Sequence, residues 1–91
     1  MDKPDLVNHS GQLGNYVYHF KAEKLSRPLP SGPYLSELYD LRRLEERGAT
    51  TINPLPIVGE GHGETRLEAH NELEEQMHEW IKEQPDFNPH F

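Results

Sequence analysis

Ninety-one residues make one domain and not two. The chain has no cysteine, which excludes disulfide staples and thiolate metal sites, and no apolar run nears the ~20 residues of a membrane helix, so a cytoplasmic protein without membrane contact is the expectation. A net charge of −7 excludes the cationic surface that direct binding to nucleic-acid phosphates requires and points to a basic protein partner.

Leu, Ile, Val and Phe together make up 20 of the 91 residues, so the core is thin. Residues 1–14 hold Pro4, Asn8, Ser10, Gly11 and Gly14 with few large apolar side chains, and read as a flexible arm. Residues 15–84 then form the single domain. In Asn15–Ala22, Tyr16, Tyr18, Phe20 and Ala22 alternate with Val17, His19 and Lys21, the period-two pattern of a half-buried strand. Residues 24–33 carry Pro28, Pro30, Gly32 and Pro33 and read as irregular chain.

From Tyr34 to Arg47 the spacing predicts a helix. Leu35, Leu38, Leu41 and Leu44 recur every three residues, and Pro33 suits a first turn. Glu37 and Asp40 precede Arg42, Arg43 and Arg47 in the order that the helix dipole favours, and Gly48 follows as a stop. Residues 49–58 read as extended chain, limited by Pro54 and Pro56 to an edge strand or a connector. Gly59, Gly61 and Gly63 make a turn. Thr65 and Glu68 have capping-box spacing, so a second helix is expected from Thr65 to Gln84, stopped by Pro85. Residues 85–91 form a tail that is mobile unless its two phenylalanines dock.

The expected fold class is therefore α+β, with two helices packed on a small sheet in strand-helix-strand-helix order. If the two extended pieces pair, a right-handed crossover makes them parallel. Two strands are few for a stable sheet, which suggests completion by a homodimer or by a partner.

Several constellations bear on function. On the second helix, His70 falls within the apolar stripe of Leu73, Met77 and Ile81, with Glu74 and His78 along its edge. The i, i+4, i+8 spacing of His70, Glu74 and His78 is one reading of a metal site. The other reading is a core histidine hydrogen-bonded to a carbonyl or a tyrosine hydroxyl, because the first and third ligands sit ~12 Å apart along the axis. The Gly59–Gly63 turn leads into a helix as phosphate-cradling loops do. Glu60 and Glu64 would repel an anion, however, and the phosphate-loop lysine is missing. His62 could act as a base oriented by Glu60 or Glu64, but no nucleophile accompanies it. Arg27–Pro30 and Asn53–Pro56 have the proline spacing of polyproline ligands, or of plain loops.

Residues 64–83 hold seven glutamates against Arg66 and Lys82. Such an array either solvates a helix face or imitates phosphates before a basic groove. The expected function is a small acidic protein-binding module, a regulator, inhibitor or accessory subunit, without catalysis or cofactor. Its contact residues would be Glu68, Glu72, Glu75 and Glu79 on the helix and Tyr16 and Tyr18 on the aromatic strand. The competing class is a small metal- or ligand-binding enzyme that uses the second helix and the glycine turn.

Overall fold

A computed structural model describes residues 7–91; residues 1–6 of the expected arm lie outside them. Five strands and one helix follow in the order β1 (Asn8–Leu13), β2 (Tyr16–Leu29), β3 (Gly32–Glu45), β4 (Gly48–Thr51), β5 (Gly61–Gly63) and α1 (Arg66–Lys82). The sheet runs β1-β2-β3-β4, and β5 also pairs with β3; every pairing is antiparallel. The expectation of two helices on a small sheet is thus corrected to one helix on a five-stranded antiparallel meander, with no parallel crossover among the described residues.

The aromatic strand forms as its alternation requires. Tyr16, Tyr18, Phe20 and Ala22 are buried, and Val17, His19 and Lys21 face the opposite side. The segment expected to be the first helix is instead β3, for a specific reason. Phe20 pairs with Leu38 and Tyr18 with Leu41, with a register shift between His19 and Phe20. One extra residue of β3 is therefore accommodated as a bulge, and Leu38 and Leu41, three apart, reach the same face. That three-residue spacing imitates a helix stripe. Leu35 and Leu44 lie on the other face, where Leu44 pairs with Ala49. Gly48, expected as a helix stop, has φ +133° and closes the β3–β4 turn, a conformation that glycine adopts at little cost.

β1 lies within the segment read as a flexible arm. Gly14, at φ +56°, supplies the tight turn that joins it to β2. Gly11 is opposite Tyr18, and a Cβ there would collide with the Tyr18 ring, so glycine is what lets the phenol lie across β1. β1 pairs with β2 only as far as Lys21. Pro28 falls where the β2–β3 pairing is interrupted between Lys24 and Leu29, so no amide of that ladder is missed there.

α1 covers one face of the sheet. Thr65 is its N-cap, with Oγ1 accepting from the Glu68 amide at 3.1 Å while Glu68 Oε2 accepts from the Glu64 amide at 2.9 Å. The N-cap half of the expected capping box is formed, and its return hydrogen bond goes to the Glu64 amide, one residue before the cap. Ala69, His70, Leu73, Met77 and Ile81 are buried against Tyr16, Tyr18, Phe20 and Leu41. The segment after α1 is docked. Asn15 donates to the Asp86 carbonyl at 3.0 Å and accepts from the Asn88 amide at 2.8 Å, and Phe87 packs on the core.

The glycine-rich turn has a structural role. β5 lies so close to α1 that a Cβ on Gly61 would strike the Ala69 carbonyl oxygen and come within 2.8 Å of the Leu73 nitrogen. One on Gly63 would lie 2.9 Å from the Ala69 nitrogen. Backbone meets backbone here, and neither side can yield cheaply. Gly61→Ala is expected to lower unfolding free energy by about 2–3 kcal/mol, read from urea midpoints. A loss below ~0.5 kcal/mol would show that β5 is not seated as described.

Candidate functional site

Two features stand out once the helix is seated. The first is its outward face. At ~100° per residue, Glu68, Glu72, Glu75 and Glu79 fall within a wedge of ~60°, while the buried residues Ala69, His70, Leu73, Met77 and Ile81 centre about ~150° away. All four glutamates are exposed. Glu68 turns back to the Glu64 amide, and Glu72 accepts a long 3.4 Å hydrogen bond from the His62 amide. Among the described residues, no lysine or arginine is ion-paired with any of the four. Spacings of i+3 and i+4 between like charges work against the helix; Glu68 suits the dipole of the first turn, and the remaining repulsion is met by no cation among the described residues.

The second feature is a polar cluster between β1, β2 and α1. The Tyr18 hydroxyl donates to Glu74 Oε2 at 2.6 Å and lies 2.8 Å from His78 Nε2. A phenol has one proton, and Glu74 takes it, so His78 carries its own proton on Nε2 and donates to the Tyr18 oxygen. His9 Nε2 reaches the same Glu74 oxygen at 3.1 Å. The His9 ring stacks on that of His70 with centroids 5.2 Å apart, and His70 Nδ1 is 2.7 Å from Ser36 Oγ. His70 is therefore a buried core histidine that has the Ser36 hydroxyl as one of its partners.

The structure accordingly separates the residues of the candidate metal site. Glu74 and His78 meet through the Tyr18 hydroxyl, while His70 turns towards Ser36. Among the described residues, no group of three or more His, Asp or Glu is placed to hold a metal ion. Tyr16 and Tyr18, expected at a partner surface, are 2% and 1% exposed and face inward. Tyr16 donates to Asp86, which also accepts from Arg43 Nη1 at 2.6 Å. His62 is opposite Leu35 in the register, and its Nδ1 is buried without a hydrogen-bond partner among the described residues, so neither Glu60 nor Glu64 orients the ring through that atom.

Sequence reasoning missed His9, Ser36, Asp86 and a row on the open face of the sheet. There Ser10 Oγ lies 2.6 Å from His19 Nδ1, and His19 Nε2 lies 3.7 Å from Asp40 Oδ2. The latter distance is too long for a hydrogen bond, and Asp40 is engaged by Arg42 Nε at 3.1 Å. The row is a cross-strand polar ladder whose carboxylate does not hold the imidazole. The only sequence signal for it was the repeat of polar residues at Asn8, Ser10 and Gln12, which composition alone assigns equally to a loop.

Burial and partners shift the titrating groups. Burial, then the Glu74 hydrogen bond and charge, hold the Tyr18 phenol well above its ordinary range. Burial and Asp86 push Tyr16 up to about 12. Burial alone would raise Glu74, but hydrogen bonds from Tyr18 and His9 and the neighbouring imidazole charges bring it below the usual carboxylate range.

No family model, curated protein or solved structure matches this chain. No helix among the described residues is long and apolar enough to cross a membrane.

Both tyrosines have folded pKa values above their unfolded ones, so their contribution is complete below about pH 10 and is lost as pH rises through the folded values. For Glu74 the sign is opposite: its contribution is present above the unfolded carboxylate pKa and is lost as pH falls through the lowered one. Tyr18→Phe should cost about 1–2 kcal/mol at neutral pH, since Glu74 loses a donor and His78 an acceptor. It should also flatten the fall in stability between about pH 9 and about pH 12. Urea denaturation across that range, with an unchanged alkaline limb in the variant, would contradict the assignment.

Proposed function

We propose that this chain is a non-catalytic protein-binding module, a regulator, inhibitor or accessory subunit, that presents the outer face of α1 to a basic surface on another protein in a cytoplasmic setting. The observation that carries this reading is the wedge of Glu68, Glu72, Glu75 and Glu79, which is exposed, lacks cationic partners among the described residues and sits opposite the buried stripe. A face that served only solubility would intersperse both signs and gain from i, i+4 pairs. This one concentrates a single sign at a cost to the helix, and an incoming cationic groove would relieve that cost. The aromatic strand has no part in the contact, because its tyrosines are spent on the core.

The affinity of such a face should be electrostatic. A fluorescent octalysine peptide is expected to bind at low ionic strength and to weaken at least tenfold between about 0.05 and about 0.3 M salt. The double substitution Glu72→Lys/Glu79→Lys should lower affinity at least ~tenfold, whereas Glu23→Lys/Glu46→Lys, which changes net charge equally at other exposed sites, should have a small effect. Equal loss in the two double variants would mean that net charge, not this helix face, attracts the peptide, and the proposal would fail.

A further inference from the structure

A cavity of 350 Å³ lies beside β3, lined by Glu37, Leu38, Pro56, Ile57, Val58, Gly59 and Glu60. Its origin is legible in the chain. β4 pairs with β3 only at Arg42–Glu45 and β5 only at Tyr34–Ser36. Between them the connecting segment contains Pro54 and Pro56, which have no N–H to offer the edge of β3. After the Ile52 amide donates to the Leu41 carbonyl at 2.9 Å, the segment arcs away and leaves the gap.

We infer that this cavity receives an arginine or lysine side chain of the basic partner, as an anchor beside the acidic helix face; the inference rests on the proposed function and names one of its contacts. Three observations support it. The lining combines aliphatic surface from Leu38, Pro56, Ile57 and Val58 with two exposed carboxylates, Glu37 and Glu60. That is the complement of a long apolar stem with a cationic head. Among the described residues neither carboxylate is in an ion pair, although Lys21 stands across from Glu37 in the sheet register. Ile57 is fully exposed at the rim, an apolar side chain with no cover.

The cavity is also continuous with the glutamate wedge. Gln76 Nε2 donates to the Glu60 carbonyl at 2.9 Å and to the Glu72 carbonyl at 3.4 Å. Gly59, beside the Gln76 side chain, is at φ +111°, a backbone conformation that glycine adopts at little cost. The loop is thus fastened to α1 next to Glu72, and one partner surface can cover both.

The test is a ¹H–¹⁵N NMR titration of the full chain with Nα-acetyl-arginine amide, against Nα-acetyl-citrulline amide as an uncharged isostere. Saturable shifts should centre on the amides of Leu38, Ile57, Val58, Gly59 and Glu60 and be at least ~tenfold weaker for citrulline. They should vanish in Glu37→Gln/Glu60→Gln and persist in Glu72→Gln/Glu79→Gln. Octalysine should displace the arginine probe. Equal response to the two probes, shifts outside the cavity, or shifts retained in Glu37→Gln/Glu60→Gln would overturn the inference. So would a probe that binds but is not displaced by octalysine, which would mark a small-molecule guanidinium site separate from the partner surface. If octalysine binds the wild-type wedge while the cavity stays silent, the anchor fails and the proposed function stands. If octalysine does not bind at all, the proposed function fails first.

Discussion

The close approach of β5 to α1 governs most of what the molecule displays. A helix resting on ordinary side chains lies about 10 Å from its sheet, as facing layers do, and can slide or rotate on a deformable layer. At Gly61 and Gly63 no side chain intervenes, and the helix backbone near Ala69 is held directly. The contact falls in the first two turns, beside the N-cap of Thr65 and Glu68. One end of α1 is therefore fixed in rotation, and rotation decides which residues face out. Leu73, Met77 and Ile81 are directed into the aromatic face of β2, and Glu72, Glu75 and Glu79 into solvent, by one constraint. The far end is tied differently, through Asn15, Tyr16 and Arg43 holding the chain at Asp86 and Asn88.

The polar cluster under α1 fits the same account. His9, Glu74, His78 and Tyr18 are a mixed set that chemistry could use, yet each polar atom named there is spent on another member. Side-chain exposures of 29% for His9 and 27% for Glu74 place the cluster at the rim of the core, where a polar group keeps part of its hydration. Its effect is to bind β1 to the helix. β1 would otherwise be an edge strand held only by its ladder to β2, with a glycine at its centre where packing against α1 is weakest. A satisfied network of this kind orders a strand, whereas a half-satisfied one would destabilise it.

How much of this could be read from the chain follows from the range of the forces. α1 was legible because its signals are local: the Thr65–Glu68 box, the Leu73–Met77–Ile81 stripe and Pro85 lie within a few turns of one another. The glutamate wedge was legible for the same reason, since helix geometry alone gathers it. β3 was not, because a bulge set by pairing with β2 put Leu38 and Leu41 on one face at helical spacing, and Gly48 at positive φ suits a helix stop and a hairpin turn alike. β1 was hidden because its polar alternation has meaning only beside β2. The cluster of His9 with Glu74 joins residues 65 positions apart, which no local pattern reports. The three glycines at 59, 61 and 63 were visible as a motif, but whether they free a loop, cradle an anion or admit a helix depends on what lies against them.

The acidic wedge and the cavity share one electrostatic logic. Seven glutamates between residues 64 and 83 are answered there by two cations. Arg66 is occupied over the Tyr34 ring, 4.9 Å from its centroid, and Lys82 is in the last turn, where it suits the dipole. Two arginines of β3 are committed as well: Arg43 bridges Glu45 and Asp86, and Arg42 holds Asp40. The fold thus pairs several of its arginines with carboxylates of the sheet and the C-terminal segment and leaves the outer glutamates of the helix without them. On the sheet, Asp40 and Glu45 are answered by arginines of the same strand. The helix glutamates Glu68, Glu72, Glu75 and Glu79 have no ion-paired lysine or arginine among the described residues, and Gln76 beside them is hydrogen-bonded to Glu60 at the cavity. Self-repulsion on that surface is small per pair in water, and cationic charge brought against it would relieve it, which is the physical basis of the basic partner proposed above.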